Sequence, residues 1–153
     1  MGFHTTEIEG VLIKDLKVFN DQRGWLTELF RDDELPEEFR PLMGYISMTY
    51  PGVVRGPHEH RYQTDYFCFF GDFTLYLWDN REGSGTYGRK MAVKVDRKIA
   101  LVPPGVVHAY KNEGRENGFV VNFPDRLYAG RGRKEPVDEI RYEDVPESPY
   151  RVE

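Results

Sequence analysis

The most constraining feature of this sequence is its punctuation. Short runs of β-forming residues alternate with turn signals along most of its length. They occupy residues 11–19, 25–30, 45–50, 53–60, 62–70, 73–78, 91–95, 99–102, 106–110 and 119–123. Pro51-Gly52, the glycines between Asn80 and Gly88, and Pro103-Pro104-Gly105 separate several of them. The only helical expectation is a single turn within 32–39, with acids at its start and a proline inside. Ten short strands at this spacing predict an all-β sandwich or barrel. With 153 residues, one domain covering 1–153 is expected, and it can bury a core without staples. The charged stretch 131–153 is expected to be a C-terminal extension on the surface, loose at its end.

Composition narrows the partners. The net charge is -5 and no basic stripe is present, which argues against a nucleic-acid surface. No apolar run approaches the roughly 20 residues of a membrane span, and the first ten residues lack the basic and apolar regions of a signal peptide. A cytoplasmic protein is the expectation. Cys68 is the only cysteine and sits among Tyr66, Phe67, Phe69 and Phe70, so it reads as an inert core thiol.

Two segments carry chemistry. In Arg55-Gly56-Pro57-His58-Glu59-His60, the two histidines are two residues apart, which on a strand puts both imidazoles on one face. An arginine beside them suits an anionic ligand. The second segment is Pro103-Pro104-Gly105-Val106-Val107-His108-Ala109-Tyr110-Lys111-Asn112. Its PxG turn, histidine and asparagine resemble the second cupin motif, and the HxH followed by Gly71 resembles the first, with Thr64 at the acid position and Asp65 next to it. That resemblance implies a double-stranded β-helix, a jelly-roll barrel on which His58, His60 and His108 converge. Three imidazoles could hold a divalent metal ion, and this stands as the alternative to a metal-free site.

Four motifs in register point to a narrower family. Asp21-Gln22-Arg23-Gly24 with Glu28, Val54-Arg55-Gly56-Pro57-His58, Asp79-Asn80-Arg81 with Ser84 and Gly88, and Val102-Pro103-Pro104-Gly105 with His108 resemble the pattern of the dTDP-4-dehydrorhamnose 3,5-epimerases. The resemblance implies a homodimer of cupin barrels. These move protons beside the C4 ketone of a nucleotide-diphosphate sugar, a dTDP-4-keto-6-deoxy sugar, without cofactor. It assigns His58 as base, and Phe19, Arg23, Glu28, Arg55, His60 and His108 as substrate contacts, with the first three reaching toward the partner's pocket. The family's acid tyrosine falls at Val121 or Asn122, so Tyr128 is the candidate acid. Its lysine falls at Asp65, His60 replaces a glutamine, and the aspartate that backs the base falls beyond Glu153. Two alternatives remain: a metal-binding small-molecule cupin, and a non-catalytic sugar-nucleotide-binding cupin.

Overall fold

The computed structural model describes residues 2–153 and is built from β-strands. In chain order these are β1 (His4–Thr5), β2 (Leu12–Asp15), β3 (Val18–Asp21), β4 (Gly24–Thr27), β5 (Tyr45–Thr49), β6 (Val54–Glu59), β7 (Asp65–Phe70), β8 (Phe73–Asp79), β9 (Lys90–Lys94), β10 (Lys98–Val102), β11 (Val106–Asn112), β12 (Gly118–Asn122) and β13 (Ile140–Arg141). A six-stranded sheet runs β1-β2-β10-β7-β12-β5 and a five-stranded sheet runs β13-β6-β11-β8-β9. The β3–β4 hairpin stands apart as a two-stranded sheet. Every pairing is antiparallel. The turn spacing predicts a sandwich or barrel, and this is the jelly-roll barrel that the cupin resemblance implies.

Strand β7 shows why the sequence folds this way. Its alternate residues Phe67 and Phe69 enter the core between the sheets, with Phe73, Leu75, Leu77, Val106 and Tyr110. Tyr66 and Cys68 point to the other face, where Leu16, Phe39, Ile99 and Leu101 cover them. Both faces are buried, so the strand reads as a continuous apolar run rather than an alternation. Cys68 is fully buried, and burial pushes its thiol up to about 12, in keeping with an inert core role. Asp65 has the parity of Phe67 and Phe69, so the same alternation sends a carboxylate inward at the end of the core.

Three expectations change. The run 11–19 is two strands, β2 and β3, broken at Leu16 and Lys17, and the helical turn is a short 3-10 segment, Asp32–Glu34. The charged stretch 131–153 also does more than lie on the surface. Its strand β13 pairs with β6, setting Ile140 opposite Glu59 and Arg141 opposite His58. Tyr150 then packs edge-on against Trp78 and Tyr142, and Ser148 is buried.

The Asp79 motif is structural. Asp79 accepts bonds from Arg81 N, Nε and Nη2, from Ser84 Oγ at 2.7 Å and from Thr86 Oγ1 at 2.6 Å. These donors outweigh its burial and hold the carboxyl well below its usual range. Arg81 is in turn packed under Gly105, where a Cβ would meet its Cγ at 2.5 Å. The motif thus locks the 80–88 loop to the turn that launches His108.

Candidate functional site

The site begins with a cross-strand pair. His58 on β6 and His108 on β11 sit directly opposite one another, and a register shift follows between His108 and Tyr110. Gly56 makes this approach possible: its φ is +92°, and a Cβ there would lie 2.6 Å from the His108 carbonyl oxygen. His60 lies just beyond the end of β6. The three imidazoles come together as the cupin resemblance implies, with ring centroids 4.6 to 5.8 Å apart.

Their environments differ. His60 Nε2 lies 3.0 Å from Asp65 Oδ2, and its Nδ1 lies 2.5 Å from the Asp138 carbonyl oxygen. Burial opposes charge on this ring, but Asp65 and Asp138 outweigh it and hold the imidazolium up to about 9. His108 is fully buried, donates from Nδ1 to the Val106 carbonyl at 3.0 Å, and has Nε2 3.3 Å from the same Asp65 oxygen. Burial and the facing His58 press it down to about 3. His58 is also pressed down, to about 4, first by burial and then by the charge on His60. Its side chain keeps 18% exposure, so it alone of the tight pair reaches solvent. Its Nδ1 faces Glu139 Oε1 at 4.0 Å and Glu143 Oε1 at 3.7 Å, leaving Nε2 as the free nitrogen.

Asp65 is the hub. Its Oδ1 accepts from Gln63 Nε2 at 2.7 Å and from Asn122 Nδ2 at 2.9 Å, while Oδ2 faces His60 and His108. Its burial is outweighed by these partners, which hold the carboxyl well below its usual range. Asn122 continues the network: its Oδ1 accepts from Tyr66 N at 2.9 Å, and its Nδ2 also donates to the Tyr45 hydroxyl at 3.0 Å. The returning chain supplies the rest. Asp138 accepts from the amides of Arg61, Tyr62 and Gln63, and Arg141 bridges Glu139 and Glu143.

Beside this network lies a cavity of about 1050 Å³, in the range that takes a large ligand. Tyr45, His60, Gln63, Tyr128, Asp138 and Glu139 are on its wall, with Arg61, Arg126, Arg131 and Arg133 around it. His58 and His108 are not on this wall; the nearest link is Glu139, whose Oε1 lies 4.0 Å from His58 Nδ1. Of the residues singled out from sequence, His58, His60 and His108 are brought together, and Tyr128 is on the cavity wall, half exposed. Arg55 is turned toward β5, bonded to Thr49 Oγ1 at 2.9 Å and the Met48 carbonyl at 2.8 Å. Phe19 and Arg23 stand on the exposed β3–β4 hairpin, where Arg23 pairs with Asp21, and Glu28 follows it on the surface. None of these three is on the cavity wall of its own chain.

The cluster also has the make-up of a metal centre. One nitrogen from each of His58, His60 and His108 lies within 4.8 Å of the others. Asp65 Oδ2, His108 Nε2 and His58 Nδ1 are buried without an aligned hydrogen bond. Three imidazoles are a competent donor set for a divalent ion, so the residues fit one, although it would have to displace the proton that Asp65 holds on His60.

A family model described as dTDP-4-dehydrorhamnose 3,5-epimerase matches residues 5–134. The chain belongs to the dTDP-4-dehydrorhamnose 3,5-epimerase family. It is 40% identical over 126 residues to the probable low-salt glycan biosynthesis epimerase Agl13 of Haloferax volcanii, covering 79% of this chain and 81% of that one. It shares its fold with the dTDP sugar isomerase of Desulfovibrio desulfuricans, with a TM-score of 0.82, 23% identity and coverage of 95% and 92%. It also shares it with the dTDP-6-deoxy-D-glucose-3,5-epimerase of Legionella pneumophila, solved with dTDP-4-keto-L-rhamnose, with a TM-score of 0.76, 21% identity and coverage of 92% and 76%. Two of the residues that depart from the 3,5-epimerase family pattern are His60 and Asp65. They are partners in one ion pair. Sequence reasoning missed Tyr45, Glu139 and Glu143, and met Asn122 only as one of two positions standing in for the family's acid tyrosine. The only signal was the parity of Tyr45 on an alternating strand, because the C-terminal pair comes from a charged segment without strand character.

Proposed function

We propose that this chain is a nucleotide-sugar epimerase of the 3,5-epimerase type, acting on a dTDP-4-keto-6-deoxy sugar as a single cupin domain. The observation that carries the reading is His58: neutral at pH 7, partly exposed, with Nδ1 against two carboxylates and Nε2 free. A proton next to a ketone needs such a base, and the carboxylates would stabilise the imidazolium as it forms. His60, held protonated by Asp65, places positive charge in the cavity wall. An enolate oxygen forming nearby is stabilised by that charge, although both His60 nitrogens are already engaged. The arginines around the cavity suit a diphosphate.

The assembly is a homodimer in this reading. The exposed hairpin with Phe19, Trp25, Leu26 and Arg23 offers an apolar and cationic surface for a second copy, and Glu28 follows it. Phe19, Arg23 and Glu28 then contact the sugar nucleotide bound by the partner.

The test is turnover of dTDP-4-keto-6-deoxyglucose, followed by NMR, for the wild type and for His58→Gln. The expected result is inversion by the wild type, a loss of at least about 10²-fold in the variant, and unchanged binding of dTDP. Turnover that survives His58→Gln sinks the assignment. A second reading rests on the buried atoms without aligned bonds: His58, His60 and His108 hold a divalent ion. Such an ion would polarise the ketone as a Lewis acid. It predicts stoichiometric metal in the purified protein, lost in both His60→Ala and His108→Ala.

A further inference from the structure

Inversion at a carbon next to a ketone needs two groups on opposite sides of the sugar, one to remove a proton and one to return it. His58 supplies only the first, from β6 of the five-stranded sheet. The second must project from the facing sheet and carry a proton at neutral pH. We infer that Tyr45 of β5 is the acid that reprotonates the carbon, an assignment that rests on the epimerase reading above.

Three observations place Tyr45. First, it is the direct cross-strand partner of Asn122 in the β5–β12 pairing, so the two side chains share a face of the six-stranded sheet. That face is the inner one. Asn122 is fully buried and bonds Asp65, and Ser47, two residues along β5, lies 3.4 Å from the Tyr110 hydroxyl on the opposite sheet. Base and phenol therefore face the barrel interior from opposite walls.

Second, the hydrogen bonding leaves the phenol proton available. The orientation of Asn122 is fixed, because its oxygen accepts a backbone amide and its nitrogen donates to a carboxylate. That nitrogen must also be the donor to Tyr45. The Tyr45 oxygen accepts, and its own proton has no protein acceptor among the described residues. The same amide would hold the phenolate after the proton leaves.

Third, the other phenols of the cavity lack this setting. All three are exposed, Tyr45 at 46%, Tyr128 at 54% and Tyr62 at 65%, but Tyr62 lies beneath the Arg126 guanidinium and neither Tyr62 nor Tyr128 has a side-chain hydrogen bond among the described residues. Tyr45 is both on the cavity wall and tied into the buried network.

The step balances without a co-reactant. His58 Nε2 takes the proton from the carbon and the C–H electron pair enters the enolate. The Tyr45 O–H bond then breaks as a new C–H bond forms on the other face. The imidazolium returns its proton to water and the phenolate takes one from water.

The experiment is Tyr45→Phe with dTDP-4-keto-6-deoxyglucose in D2O, reading deuterium uptake and stereochemistry separately. The expected variant still exchanges deuterium next to the ketone, with retention, while inverted product falls at least about 10²-fold. A 3-fluorotyrosine at position 45 keeps the fold and lowers the phenol pKa, so the basic limb of the inversion profile should shift to lower pH. Inversion within about threefold of wild type in Tyr45→Phe overturns the assignment. So does an unmoved basic limb, or loss of inversion in Tyr128→Phe with Tyr45→Phe intact. A wild type that neither exchanges nor inverts overturns the epimerase reading itself, and the assignment with it.

Discussion

Replacing Asp65 with asparagine should uncouple the two buried charges at the centre of the site. Asp65 holds His60 protonated up to about 9, two units above pH 7. At about 1.4 kcal/mol per unit, the pairing contributes about 3 kcal/mol at neutral pH. Removing one partner of a buried pair costs about 3–5 kcal/mol when the other stays charged. Here His60 can release its proton, so the lower end applies. For a chain of this length, the loss corresponds to a fall of about 6–12 °C in Tm. Denaturant unfolding of wild type and Asp65→Asn at pH 7 and pH 9.5 measures it. His60 is neutral in both proteins at the higher pH, so the difference should shrink by most of its value there. Equal losses at the two pH values, or a loss below about 0.5 kcal/mol at pH 7, would refute the ion pair as the source of stability.

Three further outcomes follow from the same geometry. Wild-type stability should peak near pH 6.5. His58 and His108 have folded values lowered to about 4 and about 3, so the unfolded chain binds protons first and stability falls as pH drops below about 6.5. His60 has a raised value, so its contribution is complete below about 6.5 and is lost as pH rises through about 9; a flat profile across this range would contradict both. Glu139→Gln combined with Glu143→Gln should lower kcat about 10-fold or more with little change in KM, because both carboxylates face His58 Nδ1; an effect on KM alone would assign them to binding. Gly56→Ala should lose about 2–4 kcal/mol by denaturant unfolding, since φ of +92° and a Cβ 2.6 Å from the His108 carbonyl strain the β6–β11 pair, and near-wild-type stability would show that the approach can relax.

Much of the barrel was legible because its signals are local. Turn residues bound most strands, and parity on β7 separates Phe67 and Phe69 from Tyr66 and Cys68. HxH likewise fixes one face for His58 and His60, whereas their convergence with His108 was legible only through the resemblance to the two cupin motifs. The meaning of Asp65 was not. In sequence it is a reversed charge in place of a lysine, and only the fold shows that it answers the extra histidine at position 60. Tyr45 was hidden because its role depends on register with Asn122, a non-local fact. Strand β13 was hidden because it has two residues and no apolar run. Its place comes from pairing with β6, with Asp138 capping the 61–63 amides just before it.

The central claim is that a neutral imidazole in this barrel moves protons next to the ketone without help from a metal. The direct measurement is deuterium uptake from D2O into dTDP-4-keto-6-deoxyglucose by wild-type protein stripped of metal with a chelator. Uptake next to the ketone, at the rate of untreated protein and absent in His58→Gln, is the predicted result. Uptake that vanishes on stripping and returns only with a divalent ion would contradict the claim and give the three histidines to the metal.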